Sequence, residues 1–198
     1  MNSKFPLDDS QIRSFLIKRI SQTNQHADAV LIEELDLCLG EARVDLVLVN
    51  GKTVGIEIKS DRDKLDRLPK QIEVYSKVFD QVEIVSGLKH LEEILYLVPN
   101  WWGVAMVTRS RRGKLEYRKI RHCKANLEKD PFSIAQLLWK QEVLELLKRK
   151  ILKIKYKNRT CDVLWATLVE RFPKTVIFRH VNYCLKKRVN WRFVHRLT

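Results

Sequence analysis

Residues 44–59 read VDLVLVNGKTVGIEIK. Two apolar, β-branched-rich runs flank Asn50-Gly51, a pair suited to the positive backbone angles of a tight hairpin turn. The segment predicts antiparallel strands over 44–49 and 53–59. Side chains two apart along a strand share a face. Val54, Ile56 and Ile58 therefore face a core, and Glu57 and Lys59 face the other way together. Leu46 and Leu48 share one face of the first strand, and Asp45 shares the opposite one with Val47 and Val49. If the pairing brings the polar faces to one side, Asp45, Glu57 and Lys59 converge. Two carboxylates flanking one position are what a hard divalent cation requires. A lysine beside them can orient or deprotonate a water, or neutralise charge developing on a phosphate. The plainer alternative is a solvated Glu57–Lys59 pair on the exposed side of a hairpin.

Working outward, Asp8, Asp9 and Ser10 are candidate caps for a helix over 10–21, where Ile12, Phe15, Leu16 and Ile20 recur at helical spacing. The stretch 29–40 is part strand. Pro69 suits the first turn of a helix running to about 79. A strand follows at 81–86 and a helix at 88–97. Two more strands, 102–108 and 114–120, are joined by the basic loop RSRRG. From Pro131 the apolar period lengthens to about 3.6. It predicts one long helix through Leu137, Leu138, Val143, Leu144, Leu147, Ile151 and Leu152, then helices over 163–172 and 176–187. The fold class expected is α/β: a mixed sheet flanked by helices over 1–125, with a basic, all-helical subdomain over 131–198.

The chain has 198 residues, 45% of them hydrophobic and 31% charged, which is an ordinary globular composition. No apolar run nears the ~18 residues of a membrane span, and the start lacks a signal peptide's apolar core, so a cytoplasmic protein is expected. Cys38, Cys123, Cys161 and Cys184 stand singly, and reduced thiols are the default. Cys161, His180 and Cys184 can be drawn as a zinc set, but their spacing matches no zinc ligand pattern. The net charge is +14, and it is divided unevenly. Residues 1–100 carry 13 Lys+Arg and 17 Asp+Glu, whereas residues 101–198 carry 25 and 7. A polyanion, nucleic acid before membrane, is the partner such asymmetry points to.

Asp45 followed by Glu57-Ile58-Lys59, on consecutive strands after an N-terminal helix, resembles the PD-(D/E)XK nuclease superfamily, the restriction-endonuclease-like fold. Val44 stands where that motif has proline. The wider stretch GEARVDLVLVNGKTVGIEIKSDRDKLDRLPKQIEVYSKVFDQVEIV (40–85) is similar to small bacterial and phage nuclease-like proteins akin to the MmcB-like DNA-repair proteins. The resemblance implies Asp45, Glu57 and the backbone carbonyl of Ile58 as ligands of Mg²⁺, or of Mn²⁺ in its place, with Lys59 as the catalytic lysine. It implies Glu34 as an extra acidic residue, with Glu33 the neighbouring alternative. Gln71 matches a polar residue beside the site or is a solvated helix position.

Arg43 is a phosphate contact or a partner of Glu41 or Asp45. The stretch KRKILKIKYKNR (148–159) places seven basic residues in twelve, more than a helix C-terminus calls for. Arg111, Arg112, Lys148, Arg149, Lys153, Lys155, Lys157, Lys187 and Arg188 are candidate phosphate contacts. Trp101, Trp102, Trp139 and Trp165 read as core, and Trp191 as a base-stacking candidate. Asp61 to Arg67 reads as a solvated loop of mixed charge. The function expected is a metal-dependent nuclease acting on DNA in preference to RNA, with a homodimer left open. The alternative is a non-catalytic nucleic-acid-binding accessory or regulatory protein on the same fold.

Overall fold

The computed structural model describes residues 6–23, 28–149, 158–188 and 194–197. Helix α1 (Asp9–Ser21) begins at a capping box, in which the Asp8 carboxylate accepts the Gln11 N–H and the Gln11 side chain accepts the Asp8 N–H. Strands β1 (Val30–Leu37), β2 (Ala42–Val49) and β3 (Thr53–Lys59) form an antiparallel meander. The β2–β3 connection is three residues long, pairing Val49 with Thr53, and Gly51 takes the positive φ of 69° that the turn needs. Helix α2 (Leu68–Val78), with Pro69 in its first turn, carries the chain to β4 (Gln81–Ser86), parallel to β3. After α3 (Leu91–Leu97), β5 (Gly103–Arg109) runs parallel to β4, and β6 (Leu115–Arg121) returns antiparallel to it. The C-terminal half continues through α4 (Pro131–Ala135), α5 (Lys140–Lys148), α6 (Cys161–Arg171) and α7 (Lys174–Lys187) to β7 (Val194–Arg196). The seven strands lie in the order β6-β5-β4-β3-β2-β1-β7, so the fold is the expected mixed α/β sheet flanked by helices.

Each sheet face is covered. Against one lies α1, whose Ile12 and Leu16 pack on Leu31, Leu46, Leu48, Ile56, Ile58 and Val85. Against the other lie α2, α3 and the C-terminal helices, whose Val74, Tyr75, Ile94, Ile134, Leu164 and Ile177 share a core with Val47, Val49 and Ile84. A strand buried on both faces reads as a near-continuous apolar run, which is why 44–49 carries a single polar residue. The solvated hairpin face considered from the sequence is therefore overturned: Glu57 and Lys59 are 2% and 4% exposed.

Three further expectations change. The long helix from 131 is two, parted at 136–139, because Asp130 caps a short α4 and Trp139 restarts the helix against Glu142. The apolar period runs across the gap because Ile134 of α4, Leu138 of the gap itself, and Val143 and Leu147 of α5 enter one core. The segment 131–198 is not all helical: Val194–Arg196 pairs with β1 and Leu197 enters the α1-side core. Trp139 is half exposed, under the Arg188 guanidinium at 4.2 Å, whereas Trp102 and Trp165 are buried as expected. Ile151 and Leu152 of that expected helix, like Lys153, Lys155, Lys157 and Trp191, lie outside the described residues. Among the described residues, no helix is long and apolar enough to cross a membrane.

Gly55 carries a packing constraint that a sequence pattern does not reveal. A Cβ there would stand 2.6 Å from the Phe79 ring, which is fully buried and cannot give way. Gly55→Ala is expected to cost ~1–3 kcal/mol by overpacking, read as a lowered urea midpoint at unchanged m-value. An unchanged midpoint would show that Phe79 has room to move.

Candidate functional site

The site arises where β2 and β3 part. Their backbone pairing runs from Val49–Thr53 to Leu46–Ile56. One step further, the Asp45 carboxylate replaces the ladder: its Oδ2 accepts the Ile58 N–H at 2.7 Å. On the other side of Asp45, β1 changes phase. Val30 and Ile32 enter the larger core, and so do Leu35 and Leu37, because Glu34 between them takes a left-handed φ of 56°. Glu34 falls between the pairs Glu33–Leu46 and Leu35–Val44, and thus opposite Asp45. Both carboxylates leave the core at this point and line a cleft of about 610 Å³ together with Asp9, Glu57, Lys59 and Gln71.

Glu57 is the buried centre. Its Oε1 accepts from Lys59 Nζ at 2.7 Å and from Gln71 Nε2 at 2.7 Å, and its Oε2 accepts from the Tyr75 hydroxyl at 2.6 Å. Lys59 Nζ also donates to Gln71 Oε1 at 2.9 Å, closing a ring of three side chains. Gln71 and Tyr75 sit one turn apart on α2 and face the sheet together. Tyr75 is held by stacking on Trp102, with ring centroids 5.9 Å apart, and by the edge of Phe79. Burial and the adjacent Glu57 carboxylate push the Tyr75 pKa up, so its hydroxyl stays a donor.

The rim is held by arginines. Arg13 of α1 donates from Nη2 to Asp45 Oδ1 at 2.6 Å and lies 2.9 Å from Glu34 Oε1 through Nη1. Arg43 Nε reaches Glu34 Oε2 at 3.1 Å. Arg43 thus pairs with Glu34, rather than with Glu41 or Asp45. Between the two acidic candidates the cleft takes Glu34, since Glu33 bonds His195 of β7 at 2.8 Å. Gln71, 8% exposed, is not a solvated helix position. Asp61 and Asp63 are not freely solvated either: they accept the Leu7 and Ser60 N–H groups at 3.0 and 2.7 Å. Arg13 and Tyr75 carried no sequence motif, although the Gln71–Tyr75 spacing on an amphipathic helix held a signal for the latter.

Asp45, Glu57, Lys59, Gln71 and Glu34 are thus brought together, but the carboxylates do not fit a divalent ion as they stand. All six of their oxygens are engaged: Glu34 by Arg13 and Arg43, Asp45 by Arg13 and the Ile58 N–H, Glu57 by Lys59, Gln71 and Tyr75. A hard cation needs oxygens free to enter its shell. Among the described residues no group of three or more His, Cys, Asp or Glu is disposed to hold a metal. The zinc set is likewise not assembled; His180 meets Cys184 at 3.4 Å, and burial raises that thiol to about 12. Of the proposed phosphate contacts, Arg111, Arg112, Lys148, Arg149 and Lys187 are exposed. Arg188 is not: it is 6% exposed and donates to Glu142 and to the Leu137 carbonyl, tying α7 to α5.

The electrostatics of the cleft are read at Asp45. Burial, then the nearby Glu57 charge, raises its pKa to about 7, against the opposing pull of the Ile58 N–H and Arg13. A carboxyl raised in the folded state binds protons the unfolded chain releases, so its contribution to stability is full below about pH 4 and is lost as pH rises through about 7. The stability of Asp45→Asn minus that of the wild type should therefore climb between pH 4 and 8, whatever its constant offset. Urea titrations across that range check this. A difference that falls with pH would mean that the Arg13 bridge outweighs burial.

Among known protein families, the one described as "Bacteriophage P4 protein cII" matches residues 4–196. Protein cII of Enterobacteria phage P4 is 28% identical over 141 residues, which cover 71% of this chain and 53% of that protein. The chain thus spans about half the length of this curated relative. No solved structure matches. With the family description matched over nearly its whole length, the chain belongs to the bacteriophage P4 protein cII family.

Proposed function

We propose that the protein is a non-catalytic nucleic-acid-binding accessory or regulatory protein, built on a sheet that resembles a PD-(D/E)XK nuclease core. One observation carries the reading: the cleft and the positive charge are built by different parts of the chain. Every described residue that lines the cleft falls between Asp9 and Gln71, and acidic side chains outnumber basic ones there. The cationic excess lies in 101–198. In a nuclease, cations that gather phosphates belong around the reacting centre, where they steer and hold the substrate. Here the Arg109–Lys124 segment alone carries eight basic residues and one acidic residue. Arg121 is committed to the Trp102 and Pro99 carbonyls and Lys119 to Glu83, while Arg111, Arg112, Lys114, Arg118 and Lys124 are exposed. Phosphate contacts of this kind position a protein on a duplex without reading its sequence. Membership of a family designated as a phage cII protein, a designation that names no reaction, favours this reading over the enzymatic one.

A second reading, a Mg²⁺-dependent nuclease, is favoured by the convergence of Asp45, Glu57, Lys59 and Gln71 in one buried cluster. One measurement tests the proposed binding surface and a second separates the readings. Fluorescence anisotropy on a 20-base-pair duplex at varied salt should show binding whose log–log slope lessens by ~2.7 in Arg111→Gln/Arg112→Gln/Lys114→Gln, about 0.9 for each phosphate no longer neutralised. An unaltered slope would remove the hairpin from the interface. Incubation of single-stranded, duplex, nicked and branched DNA with Mg²⁺ or Mn²⁺ should leave every substrate intact. Cleavage that Lys59→Ala abolishes would establish the nuclease reading instead.

A further inference from the structure

Arg13 has a placement that neither nucleic-acid binding nor the packing of α1 explains. The helix is seated without it: the capping box fixes its start, and Ile12 and Leu16, 0% and 3% exposed, fix its inner face. Arg13 projects from beside Ile12 to the edge of the acidic cleft, where its guanidinium is shared among four acceptor groups, three of them carboxylates that line it. Nε bonds Asp9 Oδ1 at 3.1 Å, Nη1 reaches Glu34 Oε1 at 2.9 Å and the Asp45 carbonyl at 3.1 Å, and Nη2 bonds Asp45 Oδ1 at 2.6 Å. Three carboxylates and a backbone carbonyl around one positive centre form an all-oxygen shell, the shell a hard divalent cation takes. A guanidinium presents five donors in a fixed plane and cannot lose its proton, so it fills that shell permanently. With its side chain 16% exposed, Arg13 is also largely withdrawn from solvent. Deleting it would leave Asp45 with the Ile58 N–H but no cation, and Glu34 with Arg43 alone, a deficit of positive charge that a counter-ion can fill.

We propose that Arg13 is the resident cation of this cleft, so that the wild-type protein is metal-independent here and loss of the Arg13 side chain turns the cleft into a Mg²⁺ or Mn²⁺ site. At Asp45 Oδ1 and Glu34 Oε1, the two oxygens Arg13 holds, a built-in charge then stands in a metal's place. This holds for the cleft whether or not the basic hairpin binds nucleic acid.

The test is thermal unfolding with Mn²⁺ and Mg²⁺ titrated over micromolar to millimolar concentrations, together with Mn²⁺ binding by electron paramagnetic resonance. The wild type should show a flat melting temperature and no Mn²⁺ that Asp45→Asn removes. Arg13→Gln should bind one Mn²⁺ and gain roughly 5–10 °C at a hundredfold excess over its dissociation constant. Arg13→Gln/Asp45→Asn should lose that gain, and Arg13→Lys, which keeps a cation in place, should bind none. If Arg13→Gln folds only when Mn²⁺ is present, the same substitution is shown in stronger form. A wild type that binds Mn²⁺ through Asp45 overturns the proposal. So does an Arg13→Gln protein that takes up no more cation than the wild type, or that stays unfolded with and without it.

Discussion

A carboxylate inside a protein must be paired or protonated, and Glu57, 2% exposed at the centre of a seven-stranded sheet, is paired three times over. Lys59, Gln71 and Tyr75 supply the donors, and each draws a different part of the fold into register. Lys59 comes from the same strand, two residues on. Gln71 and Tyr75 fix the rotation of α2 about its axis, since only one face of that helix presents both. Tyr75 passes the constraint to Trp102 through ring stacking, and so to the start of β5. Removing one donor would leave a buried charge short of partners, which costs more than the lost bond is worth.

The second constraint is the parting of β2 from β3. A sheet that simply continued would pair Asp45 with Glu57 through the backbone and bury two like charges face to face. Instead the Asp45 side chain accepts the Ile58 N–H, and the left-handed Glu34 on β1 turns its own carboxylate out at the same level. The splay makes the cleft, and the arginines neutralise it from the rim. A site of this composition has two ways of balancing its charge, a bound cation or a fixed one. Arg13, with Lys59 inside, is the fixed kind.

Much of this was legible in the chain itself. Period-two alternation across Asn50-Gly51 gave the hairpin and the shared face of Glu57 and Lys59, because strand geometry is local. Burial of that face was not legible, since what covers it is α2, and a strand's alternation says nothing of what packs above it. Gln71 was half visible for the same reason: the resemblance implied a polar residue beside the site, but nothing local told that position from a solvated one on the helix after Pro69. The phase change at Glu34 depends on one residue in a left-handed conformation that its side chain does not favour, so no pattern announces it. Arg13 read at most as the i,i+4 partner of Asp9, because its other acceptors, Glu34 and Asp45, lie 21 and 32 residues away in a cleft that exists only once three strands and α1 are assembled. The long apolar period after Pro131 misled in the opposite sense, joining two helices that share a core but are parted at 136–139.

The central claim is that the cleft is balanced by its own arginine and lysine rather than by a metal. Its most direct test is a crystal structure of the wild-type protein grown in millimolar Mn²⁺, with anomalous data collected at the manganese edge. The map should show no anomalous peak in the cleft, and the Arg13 guanidinium should lie on Asp45 and Glu34. A peak bridging Asp45 and Glu57, with Arg13 displaced from Asp45, would contradict the claim and return the cleft to metal chemistry.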